Sequence, residues 1–245
     1  MNNKFFLELK KLVINNHWVE GKGKGNNNVG ITFESLLNKE VENFELPDYK
    51  GIEIKTKYSK KECYISLFNC TPDSYLFEIK RLHLLYGYPD KEFPQFNIFN
   101  ISIYGNRKIR LNNTFFKLYV DRINQKVFLR IYDTNNKIID ELTSWSFEIL
   151  NEKLQRKLKY LALIQAEKKY INNKIYFKYN NIDFYSLISF DKFLWLIEMG
   201  MIRVTFRIGI YKSKDKLGKM YDHGTCFNIE QENIDRLFNK IDVGD

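Results

Sequence analysis

Asp48, Glu53 and Lys55 have the residue types and the spacing of a metal-dependent hydrolytic site. Residues 52–57 alternate as a strand, so Glu53 and Lys55, two positions apart, leave the same face. Asp48 lies on the turn at residues 47–51 that enters this strand, which lets its carboxylate fold back beside that of Glu53. Two adjacent carboxylates repel each other unless a cation lies between them.

Mg²⁺ suits such a pair, because it needs only one or two carboxylates and keeps waters for chemistry. Asp48 and Glu53 would hold one or two Mg²⁺ ions, and Lys55 would orient the nucleophile or neutralise developing charge. Hydrolysis of a phosphodiester bond requires all of these functions. The alternative is a solvated strand edge on which Glu53 and Lys55 form an ordinary surface ion pair. The motif alone leaves both interpretations open.

The composition is that of a folded, basic protein. The chain has 245 residues, of which 44% are hydrophobic, and a formal net charge of +9. Such a charge favours a polyanionic partner, and nucleic acid is the usual one. The alternative is the compositional bias of an AT-rich genome, which raises the lysine content by itself.

Cysteine usage and hydropathy indicate a cytoplasmic protein without a membrane partner. The three cysteines (Cys63, Cys70 and Cys226) form no Cys-x-x-Cys pair, so neither a disulfide framework nor a zinc site is indicated. Residues 1–16 read as an amphipathic helix rather than a signal peptide. No apolar run approaches the ~20 residues that span a bilayer.

Periodicity predicts a mixed α/β or α+β chain. Helices are expected at residues 1–16, from Thr32 onwards with Val41 on the buried face, and at 75–87, 148–160 and 190–199. Strands are expected at 52–57, 64–68, 99–103, 115–121, 127–133, 161–166 and 203–211. Strand 64–68 should pair with 52–57 as its hairpin neighbour, and strands 99–133 should form a meander. No linker is visible, so any lobes are interleaved or tightly joined.

Glu34 adds a third carboxylate just before the motif. It lies on the expected second helix beside the apolar face of Phe33 and Leu37, from which it could lean toward Asp48. The alternative is an ordinary flank residue of an amphipathic helix.

Taken together, the motifs resemble the MvaI/BcnI restriction endonucleases, relatives of the mismatch-repair nicking enzyme MutH. The resemblance covers most of the chain, and the joint order of the motifs is more specific than any one of them. It rests on Trp18, Gly21–Gly25, Gly30–Leu37, Pro47-Asp48, Ile52–Thr56, Gly105–Lys108, Trp145–Phe147, Lys157–Tyr160, Arg207–Gly209 and Asp222–Thr225.

The resemblance implies a PD-(D/E)xK nuclease fold with a catalytic lobe, about residues 1–100, and a DNA-recognition lobe, about residues 101–245 with strands completing the core. The lobes would form a cleft. Asp48, Glu53 and Lys55 match the catalytic triad, and Glu34 matches an additional acidic residue. The family cuts double-stranded DNA, typically as monomers that nick each strand of a short pseudo-palindrome in turn. The chain is more similar to the CCWGG-cutting MvaI branch than to the CCSGG branch. A cognate DNA methyltransferase is expected in the same system.

Basic residues in two loops are predicted to contact DNA phosphates. They are Lys22 and Lys24 in the glycine- and lysine-rich loop at residues 20–30, and Arg107, Lys108 and Arg110 after Gly105. Backbone amides of a glycine-rich segment also approach phosphate closely. The loop is not a Walker loop, because no Gly-Lys-Ser/Thr follows.

Two segments near the C-terminus are predicted to read bases. Strand 203–211 places Arg203, Thr205, Arg207 and Tyr211 on one face, and arginine-to-guanine contact is the commonest specific pairing. The alternative is an exposed strand with charged outer residues. The loop of Asp222, His223, Gly224 and Thr225 offers an acceptor, a switchable donor and a hydroxyl. Asn228 stands where the family tends to carry a basic residue, which puts the target sequence in doubt.

Three functions remain open at this stage. They are a site-specific restriction endonuclease, a MutH-like repair nickase that needs a partner, and a catalytically silent DNA-binding protein. The intact triad argues against the last. The recognition-like C-terminal half favours the first.

Overall fold

The computed structural model describes residues 3–14, 17–37, 47–58, 64–73 and 75–244. The chain divides into two compact units that are interleaved in sequence. The first unit comprises Met1–Ile65, Leu154–Ile188 and Ile234–Asp245, and the second comprises Ser66–Lys153 and Ser189–Asn233. The first boundary of these contact-defined units lies after Ile65, and the predicted catalytic lobe (about residues 1–100) and recognition lobe (about residues 101–245) stay a prediction. The contacts also return two later segments to the first unit, because strands from both complete its sheet.

The described residues form six α-helices and sixteen strands. The helices are α1 (Asn3–Ile14), α2 (Asn28–Leu36), α3 (Tyr75–Tyr86), α4 (Phe147–Leu158), α5 (Phe190–Glu198) and α6 (Ile234–Leu237). The first eight strands are β1 (Val19–Glu20), β2 (Glu53–Tyr58), β3 (Tyr64–Asn69), β4 (Tyr88–Pro89), β5 (Asn97–Ile103), β6 (Ile109–Leu111), β7 (Thr114–Asp121) and β8 (Lys126–Tyr132). The others are β9 (Ile138–Asp140), β10 (Ser144–Ser146), β11 (Tyr160–Ile171), β12 (Lys174–Leu187), β13 (Ile202–Ile210), β14 (Met220–Asp222), β15 (Cys226–Glu230) and β16 (Phe238–Ile241). The mixed α/β prediction is confirmed.

The sheet of the first unit has the order β1-β12-β11-β2, with β16 also paired to β12. β11 and β12 form a long antiparallel hairpin, whereas β2 runs parallel to β11 with Glu53 opposite Leu161. β11 is apolar on both faces at Leu161–Ile164, as expected for a strand covered on both sides. Its Ala162 and Ile164 join Ile54 and the helices α1 and α2 in one core.

Apolar faces dock α1 and α2 in the first unit. Phe6, Leu9 and Val13 of α1 are buried at helical spacing, which confirms the amphipathic pattern. α2 begins at Asn28, earlier than the predicted Thr32, because the Asn28 side chain is itself buried and hydrogen-bonded. Phe33 of α2 is fully buried. Val41 lies outside the described residues.

The prediction that strand 64–68 pairs with strand 52–57 is wrong. β3 neighbours β15 in a six-stranded sheet, and β2 pairs with β11 instead. The predicted meander is also only partly present. β7 and β8 form a hairpin, but β5 pairs with β13 in a different sheet. Alternation identified each strand, but it carries no information on which distant strand completes the ladder.

The second unit contains two sheets. The six-stranded sheet has the order β3-β15-β13-β5-β4, with β14 also on β13, and the other has the order β10-β8-β7-β6, with β9 on β8. β13 alternates strictly, so that Val204, Phe206 and Ile208 are fully buried. Trp145 is also fully buried, and its indole N–H donates to the Cys70 carbonyl at 3.0 Å. Among the helices that the structure describes, none combines the length and the apolarity needed to cross a bilayer.

Candidate active site

A tight turn places Asp48 opposite Glu53. Tyr49 and Ile52 exchange two backbone hydrogen bonds of 2.9 and 2.8 Å, and Lys50 and Gly51 between them have φ values of 47° and 86°. Two consecutive positive φ values are typical of the two-residue turns that match the twist of antiparallel strands. The chain therefore folds back on itself, and the residue before Tyr49 lies beside the residue after Ile52. Residues 47–58 are called the catalytic hairpin below.

The Asp48 carboxylate is fixed by a backbone donor. Its Oδ2 accepts a hydrogen bond of 2.8 Å from the Ile54 N–H. β2 pairs with β11 on one side, and the Ile54 N–H is taken by the Asp48 carboxylate. This contact holds the carboxylate close enough to Glu53 to affect its ionisation.

Glu53 is buried between cations. Its side chain is 1% exposed, and its Oε1 contacts the Lys55 ammonium and lies 3.5 Å from Lys157 Nζ. Burial, the largest effect, raises the pKa of Glu53, and Asp48 raises it further, while Lys55 and Lys157 act to lower it. Its Oε2 is buried and has no hydrogen-bond partner among the described residues. The predicted triad is thus brought together in space.

Lys157 was not identified as a site residue from the sequence, although its segment contributed to the family resemblance. It lies near the end of α4, immediately before β11, and β11 is the strand that pairs with β2. The parallel pairing brings the end of that helix to the same end of the sheet as Glu53. Only the lysine-rich end of the predicted helix, followed by a buried strand, could have indicated this.

Glu34 lies on the exposed side of α2 near a different part of β2. A Cβ built on Gly30 would lie 3.4 Å from Thr56 Oγ1 and 3.9 Å from Glu34 Oε1. Burial, then Tyr58 and then the Glu34 carboxylate raise the pKa of Tyr179, so Glu34 also lies near that hydroxyl. Its predicted catalytic role stays a prediction.

A divalent cation fits the Asp48–Glu53 pair. A buried carboxylate oxygen without a hydrogen-bond partner is costly unless a ligand completes it, and Glu53 Oε2 is such an atom. Among the described residues no cluster of three or more His, Cys, Asp or Glu side chains could hold a metal. Mg²⁺ is typically held by one or two carboxylates plus substrate phosphate and water, so two carboxylates suffice.

The glycine- and lysine-rich loop is held by the start of α2. Gly23 N–H donates to Asn28 Oδ1 at 2.7 Å, and Lys22 N–H donates to Thr32 Oγ1 at 3.0 Å. A Cβ at Gly21 would lie 2.6 Å from Ile175 Cγ2, so a larger residue here would force neighbouring side chains to shift. The side chains of Lys22 and Lys24 are exposed, as phosphate contacts require.

The basic residues after Gly105 lie against aromatic rings. The Arg107 guanidinium lies 3.7 Å from the centre of the Tyr104 ring, and Lys108 Nζ lies 3.5 Å from that of Tyr132. Arg107 is exposed, whereas Lys108 also bonds to the Asn136 side chain. Arg110 Nε donates to the Asn112 carbonyl at 3.2 Å.

The predicted base-reading strand is only half-exposed. β13 is bordered by β15 and β14 on one side and by β5 on the other, so Arg203 and Arg207 project from the face of a sheet. Arg203 Nη1 donates to the Tyr104 hydroxyl at 3.3 Å. Asp222 is the last residue of β14, and His223, which is exposed, lies in the connection to β15.

Thr225 is placed differently from its neighbours, because its hydroxyl is buried and has no hydrogen-bond partner among the described residues, and its role in DNA binding stays a prediction. The residue is fully buried directly before β15, and its carbonyl accepts from the Cys70 N–H at 2.9 Å. Asn228 is also buried, where its amide donates to Thr205 Oγ1 at 3.2 Å and accepts from Ser66 Oγ at 3.1 Å.

Comparison with known proteins relates this site to DNA-cutting enzymes. The model of the MvaI/BcnI restriction endonuclease family matches residues 7–238. The chain is 36% identical to the protein in a solved restriction endonuclease MvaI–cognate DNA substrate complex, with a TM-score of 0.89 and 100% of each chain covered. It is 35% identical to restriction endonuclease MvaI in the absence of DNA, with a TM-score of 0.63 and 98% of each chain covered. A comparison with curated proteins found no significant match.

These matches and the carboxylate–lysine hairpin define a type II restriction endonuclease, a site-specific deoxyribonuclease. The chain belongs to the MvaI/BcnI restriction endonuclease family.

Proposed function

We propose that this enzyme hydrolyses phosphodiester bonds of double-stranded DNA with Mg²⁺, and that the catalytic hairpin is its active site. The observation that supports this most is the buried Glu53 carboxylate beside Asp48, with one oxygen facing lysines and the other without a partner. One or two Mg²⁺ ions held by Asp48 and Glu53 would polarise the scissile phosphate and activate the attacking water.

The chain's own residues prepare the site for this chemistry. The Ile54 N–H fixes the Asp48 carboxylate, so that ligand needs little reorganisation. Lys55 and Lys157 favour the ionised form of Glu53 against the effect of burial. In the reaction, Lys55 orients the water or neutralises charge on the phosphate, and Glu34 assists as a further acidic residue near the hairpin.

We further propose that the target is a short pseudo-palindrome of the CCWGG type. The MvaI structure with cognate DNA supports DNA as the partner, since this chain matches it over its full length. Lys22, Lys24, Arg107 and Lys108 would contact phosphates, and Arg203, Arg207, Asp222 and His223 would serve base reading. The enzyme would act in the cytoplasm as a monomer that nicks each strand in turn, alongside a cognate DNA methyltransferase.

Run-off sequencing of plasmid digests tests this function, because it gives the site and the cut position together. Unmethylated plasmid incubated with the purified enzyme and Mg²⁺ should yield discrete fragments with ends at one CCWGG-like sequence. A time course should show open circles before linear DNA if the strands are cut in turn.

Other outcomes would identify the alternatives. Open circles that persist after long incubation would favour a MutH-like nickase. Scission without a preferred sequence would contradict the CCWGG proposal. The absence of scission under any divalent ion would leave only DNA binding.

A further inference from the structure

The Arg207 guanidinium holds the turn between β14 and β15 by hydrogen bonds to its backbone. Arg207 Nε donates to the Gly224 carbonyl at 3.0 Å, and Arg207 Nη2 donates to the His223 carbonyl at 2.8 Å. In return, the His223 N–H donates to the Arg207 carbonyl at 3.1 Å. Three hydrogen bonds thus join the middle of β13 to the residues that carry the predicted base-reading groups.

The same guanidinium is also held by Asn69, a residue that neither the motif nor the proposed mechanism includes. Asn69 is the exposed last residue of β3, and its Oδ1 accepts from Arg207 Nη2 at 3.0 Å. Its amide also lies against the turn, because a Cβ built on Gly224 would be 3.4 Å from Asn69 Nδ2. Gly224 has a φ of +86°, which disfavours any other residue there. Asn69, Arg207, His223 and Gly224 are called the loop brace below.

Two further contacts fix the conformation of this turn. Asp222 Oδ1 accepts from the Gly224 N–H at 2.8 Å, and the His223 ring packs edge-on against Tyr221 with 4.3 Å between ring centres. The carboxylate and the imidazole are therefore oriented before any ligand arrives. Orienting a binding loop in advance removes an entropic cost from recognition.

We propose that Asn69 is a positioning residue for base reading. Its side-chain oxygen fixes the plane of the Arg207 guanidinium, and through it the positions of Asp222 and His223. Arg207 Nε and Nη2 are committed to the brace, so Arg207 acts first by holding the turn rather than by reading a base with its whole guanidinium edge. This inference rests on the proposed function, in which these residues face DNA.

Substitution at Asn69 should reduce discrimination rather than chemistry. In Asn69→Ala the ratio of kcat/KM for the cognate site to that for a site with one changed base should fall about tenfold, as expected for one charge-assisted hydrogen bond. KM should rise while kcat at saturating cognate DNA stays close to wild type. Asn69→Asp keeps the acceptor and should restore the ratio. Asn113→Ala removes an exposed asparagine from the β6–β7 turn and should change neither parameter.

Amide hydrogen exchange tests the brace independently of cleavage. Peptides covering residues 220–226 should exchange faster in Asn69→Ala than in wild type or Asn113→Ala, because the His223 amide bonds within the brace. Unchanged exchange would overturn the brace. Faster exchange with unchanged discrimination would overturn its role in specificity. A wild-type protein that cuts no site would instead refute the proposed function, while the exchange result still decides the brace.

Discussion

At the scale of single residues, the burial of Glu53 and its proposed role as a cation ligand favour opposite ionisation states. Its burial disfavours the carboxylate form, yet a cation ligand must be ionised. A folded pKa above the ordinary value of 4.5 means that the stabilising contribution is present below that value and is lost as the pH rises through the folded pKa. Without metal, ionisation of this side chain therefore opposes folding.

Glu53→Gln should separate stability from function. It resembles the protonated form, so without metal at neutral pH its melting temperature should exceed that of wild type, by about 2–4 °C for each 1 kcal/mol relieved. The gain in melting temperature should vanish as the pH falls to about 4.5. The Glu53→Gln variant should also lose cleavage activity. Calorimetry in EDTA measures the melting temperature, and plasmid assays measure cleavage. Glu232→Gln, at an exposed glutamate, is the control. A lower melting temperature at neutral pH would contradict this account of Glu53.

Lys157 should matter for cleavage although it is not part of the Asp48–Glu53–Lys55 motif. Lys157→Ala should slow cleavage about 10- to 100-fold, the usual effect of removing a residue that supports a metal ligand. Because Lys157 lowers the pKa of Glu53, the acidic limb of the pH–rate profile should move to higher pH. Lys157→Arg should restore part of the rate. Lys240→Ala, which breaks the exposed pair with Asp183, should behave as wild type. An unmoved pH profile would refute this role.

At the scale of elements, the local sequence pattern predicted the helices and strands better than it predicted how the strands pair. The helices α1, α3, α4 and α5 and the strands β2, β11 and β13 follow from periodicity, because each buries one face or both. The parallel pairing of β2 with β11 joins residues more than a hundred positions apart, which alternation cannot specify. This is why Asp48, Glu53 and Lys55 could be grouped from the sequence, and Lys157 could not.

The turn of the catalytic hairpin should be sensitive to its glycine. Gly51→Ala places a side chain at φ 86°, which should cost about 1–2 kcal/mol and displace Asp48 from Glu53. Cleavage should then fall by more than the loss of folded protein explains. Gly244→Ala imposes similar strain at φ +69° away from the hairpin, and its cleavage rate should not change. Equal rates for folded Gly51→Ala and wild type would contradict the role of the turn.

At the scale of the whole molecule, the charge of +9 should govern affinity for DNA of any sequence. Lys24 is exposed in the glycine- and lysine-rich loop, and Lys24→Ala should weaken binding equally on cognate and unrelated duplexes. The slope of log K against log salt should become shallower by about 0.9, the value for one phosphate contact. Titrations at several salt concentrations measure this slope. A loss confined to the cognate sequence would show that Lys24 reads bases instead.

Because the two units are interleaved along the chain, the residues that belong to each unit were hard to predict from the sequence. Leu154–Ile188 and Ile234–Asp245 return to the unit that contains the catalytic hairpin, and only the tertiary contacts reveal this. The predicted assignment of catalysis to one unit and base reading to the other stays a prediction. The site residues follow it in position, since Asp48, Glu53, Lys55 and Lys157 belong to the first unit and the loop brace to the second.

The most direct test of the central claim compares wild type with Asp48→Ala in one pair of assays. In Mg²⁺ the wild type should linearise plasmid at its site, and Asp48→Ala should leave it intact. In Ca²⁺ both should bind the cognate duplex with similar affinity and prefer it to unrelated DNA, because Asp48 lies in the catalytic hairpin and not in the loop brace. Cleavage by Asp48→Ala at the same site would contradict the assignment of the active site.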